Sequence, residues 1–220
     1  WWLQRSSVRW DRGRLEAIRQ RANGFLIDSA AIASPERRIT PWSWITEHLL
    51  PILPVSARQG PGGLYFAWFD TSPPPTATLD VDEGFCLRSG PVVYTDRDDV
   101  ANEFRLSYRV DAERDKPLKR FILTGSSVTL DEESDAVEHG LCVTSNARYG
   151  RRVREMRSDV VYDAATAARV CLWMAEAFAL QQRRIVYDCP QDFGYLEPGD
   201  AVLVGDDGLN LDDAPGIVEA

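Results

Sequence analysis

The sequence is poor in the residues that most catalytic sites need. It has two histidines, His48 and His139, in 220 residues. That leaves little room for a Ser-His-Asp or Cys-His relay, where an imidazole must sit beside the nucleophile. Its four cysteines, Cys86, Cys142, Cys171 and Cys189, are far apart with no C-x-x-C pair, and neither histidine falls at ligand spacing from them. A zinc site therefore has no donor set. The cysteines read instead as small buried hydrophobes of a reduced, cytosolic assembly compartment. P-loop, G-x-G-x-x-G, H-E-x-x-H and G-x-S-x-G patterns are absent, which removes the commonest nucleotide, metalloprotease and esterase signatures. Gly60-Pro61-Gly62-Gly63 is too proline-bound, and too far from a helix start, to cradle phosphate. Asp131 to Glu138 is acidic but lacks the spacing of a calcium loop. No run of about 18 apolar residues occurs, so no membrane-spanning helix is expected. Catalytic residues, cofactor-binding residues, metal ligands and cofactors are thus all expected to be none, and no enzymatic activity is expected.

What is present is the make-up of a soluble globular protein, 44% hydrophobic and 27% charged. The length suits one large domain or two small ones. The chain opens Trp1-Trp2-Leu3 without an initiator Met or a signal-peptide pattern, and is expected to be a segment of a longer protein. The net charge of −9 is unevenly spread: residues 1–60 carry nine Lys/Arg against five Asp/Glu, and the stretch from Asp192 onward has eight acids and no base. An acidic surface repels phosphates, so a direct nucleic-acid reader is not expected. A negatively charged wall still suits a passage through which a polyanion slides without sticking.

The strongest pattern runs from Ser145 to Val204. Asp163 is placed to cap a long helix over 163–184, because Ala164 to Arg184 lacks Gly and Pro and is rich in Ala. Val170, Trp173, Met174, Ala177 and Gln181 lie at i, i+3, i+4, i+7 and i+11. Arg183 and Arg184 would close the helix against its dipole. If that stripe faces a core, Trp173→Ala should cost roughly 3–5 kcal/mol. The flanks read as strands, Arg151–Arg157 before and Arg184–Cys189 after. Pro198-Gly199-Asp200 then turns the chain into Ala201–Val204.

Earlier, the Arg/Trp mixture Trp1, Trp2, Arg5, Arg9, Trp10 leads into a short helix over Arg14–Ala22, ended by Asn23-Gly24 as an αL cap. Phe25-Leu26-Ile27 reads as a buried strand. Thr40 caps a second helix, with Pro41 at its first position and Trp44, Ile45, His48 and Leu49 on one face. A hairpin joins Val55–Arg58 to Leu64–Phe69, and Thr71–Thr76 is a proline-rich seam. Short strands follow around 77–81 and 91–94. Asn102–Val110 alternates, with Phe104, Leu106, Tyr108 and Val110 on one face; Glu103, Arg105 and Arg109 then point to solvent or to a cross-strand neighbour. Lys119–Gly125 is a further strand, Leu141-Cys142-Val143 is strand-like, and Asp131–Glu138 is a loop.

Two carboxylate pairs, Glu132/Glu133 and Asp70/Asp80, are conceivable for glycoside chemistry, although nothing selects either. With Tyr65, Phe66, Trp68 and Phe69 as a sugar platform, they define the alternative reading: a carbohydrate-binding or cell-wall glycan-processing module.

The order of elements resembles a known family. The residues that carry the resemblance are Asn102-Glu103-Phe104-x-x-x-Tyr108, Ser145-x-x-x-Tyr149-Gly150-x-Arg152, and Asp163-x-x-Thr166-Ala167 opening a helix. Arg183-Arg184 and Leu196-x-Pro198-Gly199-Asp200-x-Val202 complete the set. Together they resemble the baseplate hub or tail-tip proteins of contractile and long-tailed bacteriophages and of gene transfer agents, over Asn102–Val204; an acidic insertion between Val110 and Ser145 departs from the pattern. The resemblance implies an α+β fold, mainly antiparallel β, with barrel-like hub domains and packed helices. Residues 1–100 would be an N-terminal α+β hub portion, and 101–220 a barrel-like domain with the one long helix. It further implies a homotrimer that closes the tail tube and touches a distal tail or tail tube protein above and a spike or receptor-binding protein below. DNA would pass nearby without specific binding. The location would be the virion tail tip, after assembly in the host cytoplasm.

Overall fold

The computed structural model describes residues 9–27, 40–60, 62–69, 75–84, 86–111, 113–129 and 131–219. Expectations placed on Trp1, Trp2, Arg5, Pro61, Asp70 and most of the proline seam lie outside them.

The chain begins with α1 (Arg12–Ala22) and α2 (Pro41–Trp44), which continues as a π-helical turn Ile45–Leu49. Five strands follow, β1 (Val55–Gly60), β2 (Gly63–Trp68), β3 (Ala77–Asp80), β4 (Leu87–Arg88) and β5 (Val93–Tyr94). Next come β6 (Glu103–Asp111), β7 (Lys116–Thr124), β8 (Ser134–Glu138), α3 (Gly140–Tyr149), β9 (Val153–Arg157) and α4 (Ala164–Phe178). The chain closes with β10 (Arg183–Arg184), β11 (Tyr187–Asp188), β12 (Ala201–Asp206) and β13 (Leu211–Ile217). Antiparallel pairings outnumber parallel ones among these strands. The fold is α+β, as expected. No sheet closes into a barrel among the described residues.

The chain divides into two compact units: Trp1–Arg19, Val55–Tyr94 and Arg183–Ala220 form one, Gln20–Pro54 and Thr95–Gln182 the other. The boundary expected near residue 100 falls inside the second of these.

In the first unit, β1 and β2 form the anticipated hairpin, with Val55 opposite Trp68. β12 is the middle strand of a three-stranded sheet, antiparallel to β13 and parallel to β3. Leu79, Cys86, Val202 and Val204 form its buried cluster. The strand expected over Arg184–Cys189 is broken into β10 and β11, each paired with a different short partner.

The second unit is a four-stranded sheet in the order β8-β7-β6-β9 with helices on one face. Alternation in β6 puts Phe104, Leu106 and Tyr108 on the inner face, all buried. Their cross-strand partners Leu123 and Phe121 in β7 extend that face. α4 covers it with Thr166, Ala167, Val170, Cys171, Met174 and Ala175. The buried stripe is thus rotated from the expected one: Trp173 is only partly buried, and its indole N–H donates to Ile52 O at 2.8 Å.

Asp163 caps α4 as foreseen, its Oδ1 accepting from Thr166 N at 2.9 Å. The helix stops at Phe178, earlier than the 163–184 expected, because tertiary bonds capture the chain there. Phe178 O accepts from Ala101 N at 3.0 Å, and Gln182 and Thr95 hold each other through Thr95 N to Gln182 O and Gln182 N to Thr95 Oγ1, both 3.0 Å. Arg183 and Arg184 therefore lie in a strand and do not close the helix.

Four further expectations change. Asp131–Glu138 contains β8, and with β7 it supplies half of the sheet, so the stretch read as an insertion is core architecture. Leu141-Cys142-Val143 is helical, as part of α3, which buries Cys142 and Ser145. Phe25–Ile27 makes only a bridge, Ile27 to Val161, and Leu26 is 66% exposed. Neither Asn23 nor Gly24 takes a positive φ, so α1 does not end in an αL cap.

The partial burial of Trp173 revises its expected worth. Trp173→Phe should cost about 1 kcal/mol, the value of one hydrogen bond, whereas Met174→Ala, on the buried stripe, should cost about 2–5 kcal/mol. Urea melts of both variants check the ranking.

Candidate functional site: a saturated polar node

Asn102, just before β6, and Glu103, its first residue, are 1% exposed each, and both are polar. Burying them is tolerable only if every donor and acceptor finds a partner. The turn after α3 provides those partners. Asn102 Nδ2 donates to Ser145 Oγ at 3.2 Å and to Gly150 O at 2.8 Å, and its Oδ1 accepts from Arg152 N at 2.8 Å. The backbone N–H groups of Asn102 and Glu103 both reach Arg152 O, at 2.9 and 3.0 Å.

Glu103 points to the outer face of the sheet, where alternation suggested solvent or a cross-strand neighbour. Two guanidinium groups cover it instead. Arg151 Nε donates to Oε2 at 2.7 Å and Arg151 Nη2 to Oε1 at 2.9 Å. Arg105 Nε also reaches Oε1 at 2.7 Å. The hydrogen bonds from Arg151 and then Arg105, with the charge of both, outweigh burial and hold the carboxyl below the usual glutamate range. Such a group cannot serve as a general acid near neutral pH, and both its oxygens are occupied. Its chemistry is structural.

Each position of the turn has a reason. Gly150 closes α3 at φ 74° with its N–H on Asn146 O, a backbone region that a side chain disfavours. Tyr149 stacks under Arg148 and Arg97, with centroid distances of 5.2 and 5.7 Å. Arg152 also donates to Arg97 O at 2.8 Å. In α4, the capped Thr166 uses its Oγ1 to accept from Leu26 N at 2.9 Å.

The other motif, in the first unit, is likewise a packing turn. Tyr65 OH donates to Pro198 O at 3.2 Å, Arg14 lies 4.2 Å over the Tyr65 ring, and Arg14 pairs with Glu197. Gly199 has φ 97° and its N–H donates to Val218 O at 2.8 Å. A Cβ there would collide with Ala67 Cβ. Nearby in the sheet, the buried Asp206 accepts from Arg88 at 3.3 Å and Tyr187 OH at 3.2 Å, and burial together with that carboxylate pushes the Tyr187 phenol up to about 12.

The remaining candidates do not converge. Tyr65 is 2% and Phe66 9% exposed, so those two rings are core, while Trp68 and Phe69 are partly buried. Glu132 and Glu133 are exposed. Asp80 Oδ1 accepts from Asp82 N and Glu83 N in a local turn, and Asp70 lies outside the described residues. His48 Nδ1 lies 2.9 Å from Asp159 Oδ1. Among the described residues no group of three or more His, Cys, Asp or Glu could hold a metal, and no helix is long and apolar enough to cross a membrane. The saturated node was missed because alternation assigns a side chain to a face and says nothing about what covers that face.

With the geometry in place, comparison with known proteins is informative. Residues 141–216 match the model of a family described as a putative phage tail protein. The match supports a phage tail role. It begins inside α3 and ends in β13, taking in the Gly150–Arg152 turn, α4 and the Pro198-Gly199-Asp200 turn. A solved structure, the tail protein from Neisseria meningitidis MC58, is similar at 16% identity and a TM-score of 0.42, over 74% of this chain and 43% of that one. That likeness is too slight to carry an argument, and this chain spans less than half of that protein's length. No curated protein sequence matches the chain.

Two outcomes test the node. Glu103→Gln should cost about 2 kcal/mol at neutral pH, the worth of charged hydrogen bonds. The depressed pKa means the wild type's advantage is full above the ordinary glutamate value of about 4.3 and is lost as pH falls through the lowered folded value. Urea melts of both proteins across that range should therefore converge in acid. Gly199→Ala should cost more than about 1 kcal/mol, since both φ and space oppose the methyl.

Proposed function

We propose that this chain is a segment of a phage baseplate hub or tail-tip protein. In this reading it acts as a homotrimer that closes the tail tube and connects it to a distal tail or tail tube protein and to a spike or receptor-binding part. The observation that carries the proposal is the family match over 141–216, falling on the same turns and helix that resemble hub proteins. The residues of those turns and of the strand they tie down are occupied in holding the fold: Asn102, Glu103, Ser145, Gly150 and Gly199 all have packing or bonding duties. That suits a component whose product is shape. The proposed 101–220 hub portion carries all of these residues.

The charge pattern fits passage of DNA nearby without specific binding. On the outer face of the four-stranded sheet, Arg105 is paired with Glu103 and Glu155, Arg157 with Asp115, and Arg120 lies 4.0 Å from Asp131. Guanidinium groups already neutralised in this way release few counterions to a phosphate backbone. The place of action in this reading is the tail tip of the virion, after assembly in the host cytoplasm.

Gold-labelled antibodies against 141–216 should decorate the distal end of the tail on purified particles, and quantitative mass spectrometry should give a trimeric copy number. Label along the tube shaft or on the head, or a copy number matching stacked tube rings, would overturn the proposal.

A further inference from the structure

Cys86 and Cys189 are 103 positions apart in sequence, yet their Sγ atoms lie 2.6 Å apart. Both belong to the first unit. The strand register explains the meeting. β4 and β11 pair antiparallel, with Arg88 opposite Tyr187 and Leu87 opposite Asp188, so the next step sets Cys86 opposite Cys189. Ser89 N donates to Val186 O at 3.0 Å, which makes 89 and 186 a hydrogen-bonded pair. Counting back by twos, 87 and 188 are of the same kind, and the cysteines, one step beyond, fall at a non-hydrogen-bonded position. There, opposed Cα atoms approach to about 4.5 Å, within the roughly 4.4–6.8 Å that a disulfide spans.

The two thiols differ in access. Cys86 is 1% exposed, packed in the Leu79, Val202 and Val204 cluster, with its N–H on Asp80 O at 3.3 Å. Cys189 is exposed. The other two cysteines, Cys142 and Cys171, are buried in the second unit.

We propose that Cys86 and Cys189 form an oxidation site that closes to an intramolecular disulfide when a thiol oxidant such as glutathione disulfide is supplied. Cys189, as the thiolate, attacks one sulfur of glutathione disulfide, giving a mixed disulfide and one glutathione thiolate. Cys86 loses its proton to solvent and attacks the Cys189 sulfur; the Cys86–Cys189 bond forms and the second glutathione leaves. The protein loses two electrons and two protons, and one glutathione disulfide becomes two glutathione thiols. Burial pushes the Cys86 thiol up to about 12, so the second step is the slower one and quickens as pH rises. The bond staples β4 to β11, two-residue strands that are marginal without support. It also removes the freedom of a long loop from the unfolded chain. This inference rests on the strand register and stands whether or not the tail reading does.

The test treats the folded chain with glutathione disulfide at about pH 8, where thiolates form readily. The protein is then quenched in acid, denatured, alkylated with iodoacetamide and weighed. Two of the four free cysteines should escape alkylation, and a peptide map should join residue 86 to residue 189. Dithiothreitol should restore all four thiols. The oxidised form should melt several degrees higher. Cys142→Ser should still form the bond. Cys189→Ser, a change at an exposed site with folding checked by circular dichroism, should keep its three thiols and show no rise in Tm. Retention of four alkylatable thiols overturns the proposal. So does a stable glutathione adduct on Cys189 with Cys86 still free, or a bond between any other cysteines.

Discussion

Taking the Glu103 carboxylate out of water costs several kcal/mol unless cations and hydrogen bonds replace the lost hydration, and the layout of the second unit follows from how that is met. Arg105 comes from the same strand two residues on, so it arrives at the same face without further design. Arg151 has to be delivered by a different element. It comes immediately after Gly150, whose φ of 74° turns the chain out of α3 and into β9. Because β9 then runs parallel to β6, with Val153 opposite Glu103, the ion pair and the strand register are one constraint. Asn102, one residue earlier, ties the same turn from inside through Ser145 and Gly150. A helix end, a strand edge and a buried charge are therefore fixed together, and none of the three has an independent solution.

The first unit solves a smaller version of the problem by other means. Asp206, at the end of β12, is 3% exposed and meets one guanidinium and one phenol. The Pro198-Gly199-Asp200 turn is held by shape: Gly199 lies against Ala67 with no room for a methyl, and the main chain around it bonds to Val218 from both sides, at 2.8 and 2.9 Å. Polar burial in one unit and close backbone approach in the other place Asn102, Glu103, Gly150 and Gly199 in positions where few other side chains fit.

Local chemistry made part of this legible. The Asp163 cap, the hairpin at Gly63, the alternation of β6 and the existence of α4 all follow from rules acting within a few residues. What the sequence hid was set by distant partners. α3 begins at Gly140 and contains Val143 and Thr144, poor helix formers, so its helicity comes from burying Cys142 and Ser145. β8 is acidic and β13 carries Asp212, Asp213, Pro215 and Gly216, residues depleted in strands; each forms because a neighbouring strand supplies the ladder. α4 stops at Phe178 because Ala101, from another part of the chain, takes its carbonyl. The node itself was visible only as a set of ordered residues, since nothing in a linear pattern says that Arg151 folds back over Glu103.

The first unit is assembled from three stretches of chain that alternate with the two stretches of the second. β3, at Ala77–Asp80, has its parallel partner β12 only at Val202–Gly205, about 120 residues later. During synthesis at roughly 5–20 residues per second, β3 emerges and waits about 6–25 seconds before its neighbour exists. The Thr95–Gln182 part of the second unit, with its four-stranded sheet, α3 and α4, is made in that interval, and the Gln20–Pro54 part already exists. The order of translation thus makes the second unit the early folder, and leaves the first to close last around the final strands of the chain.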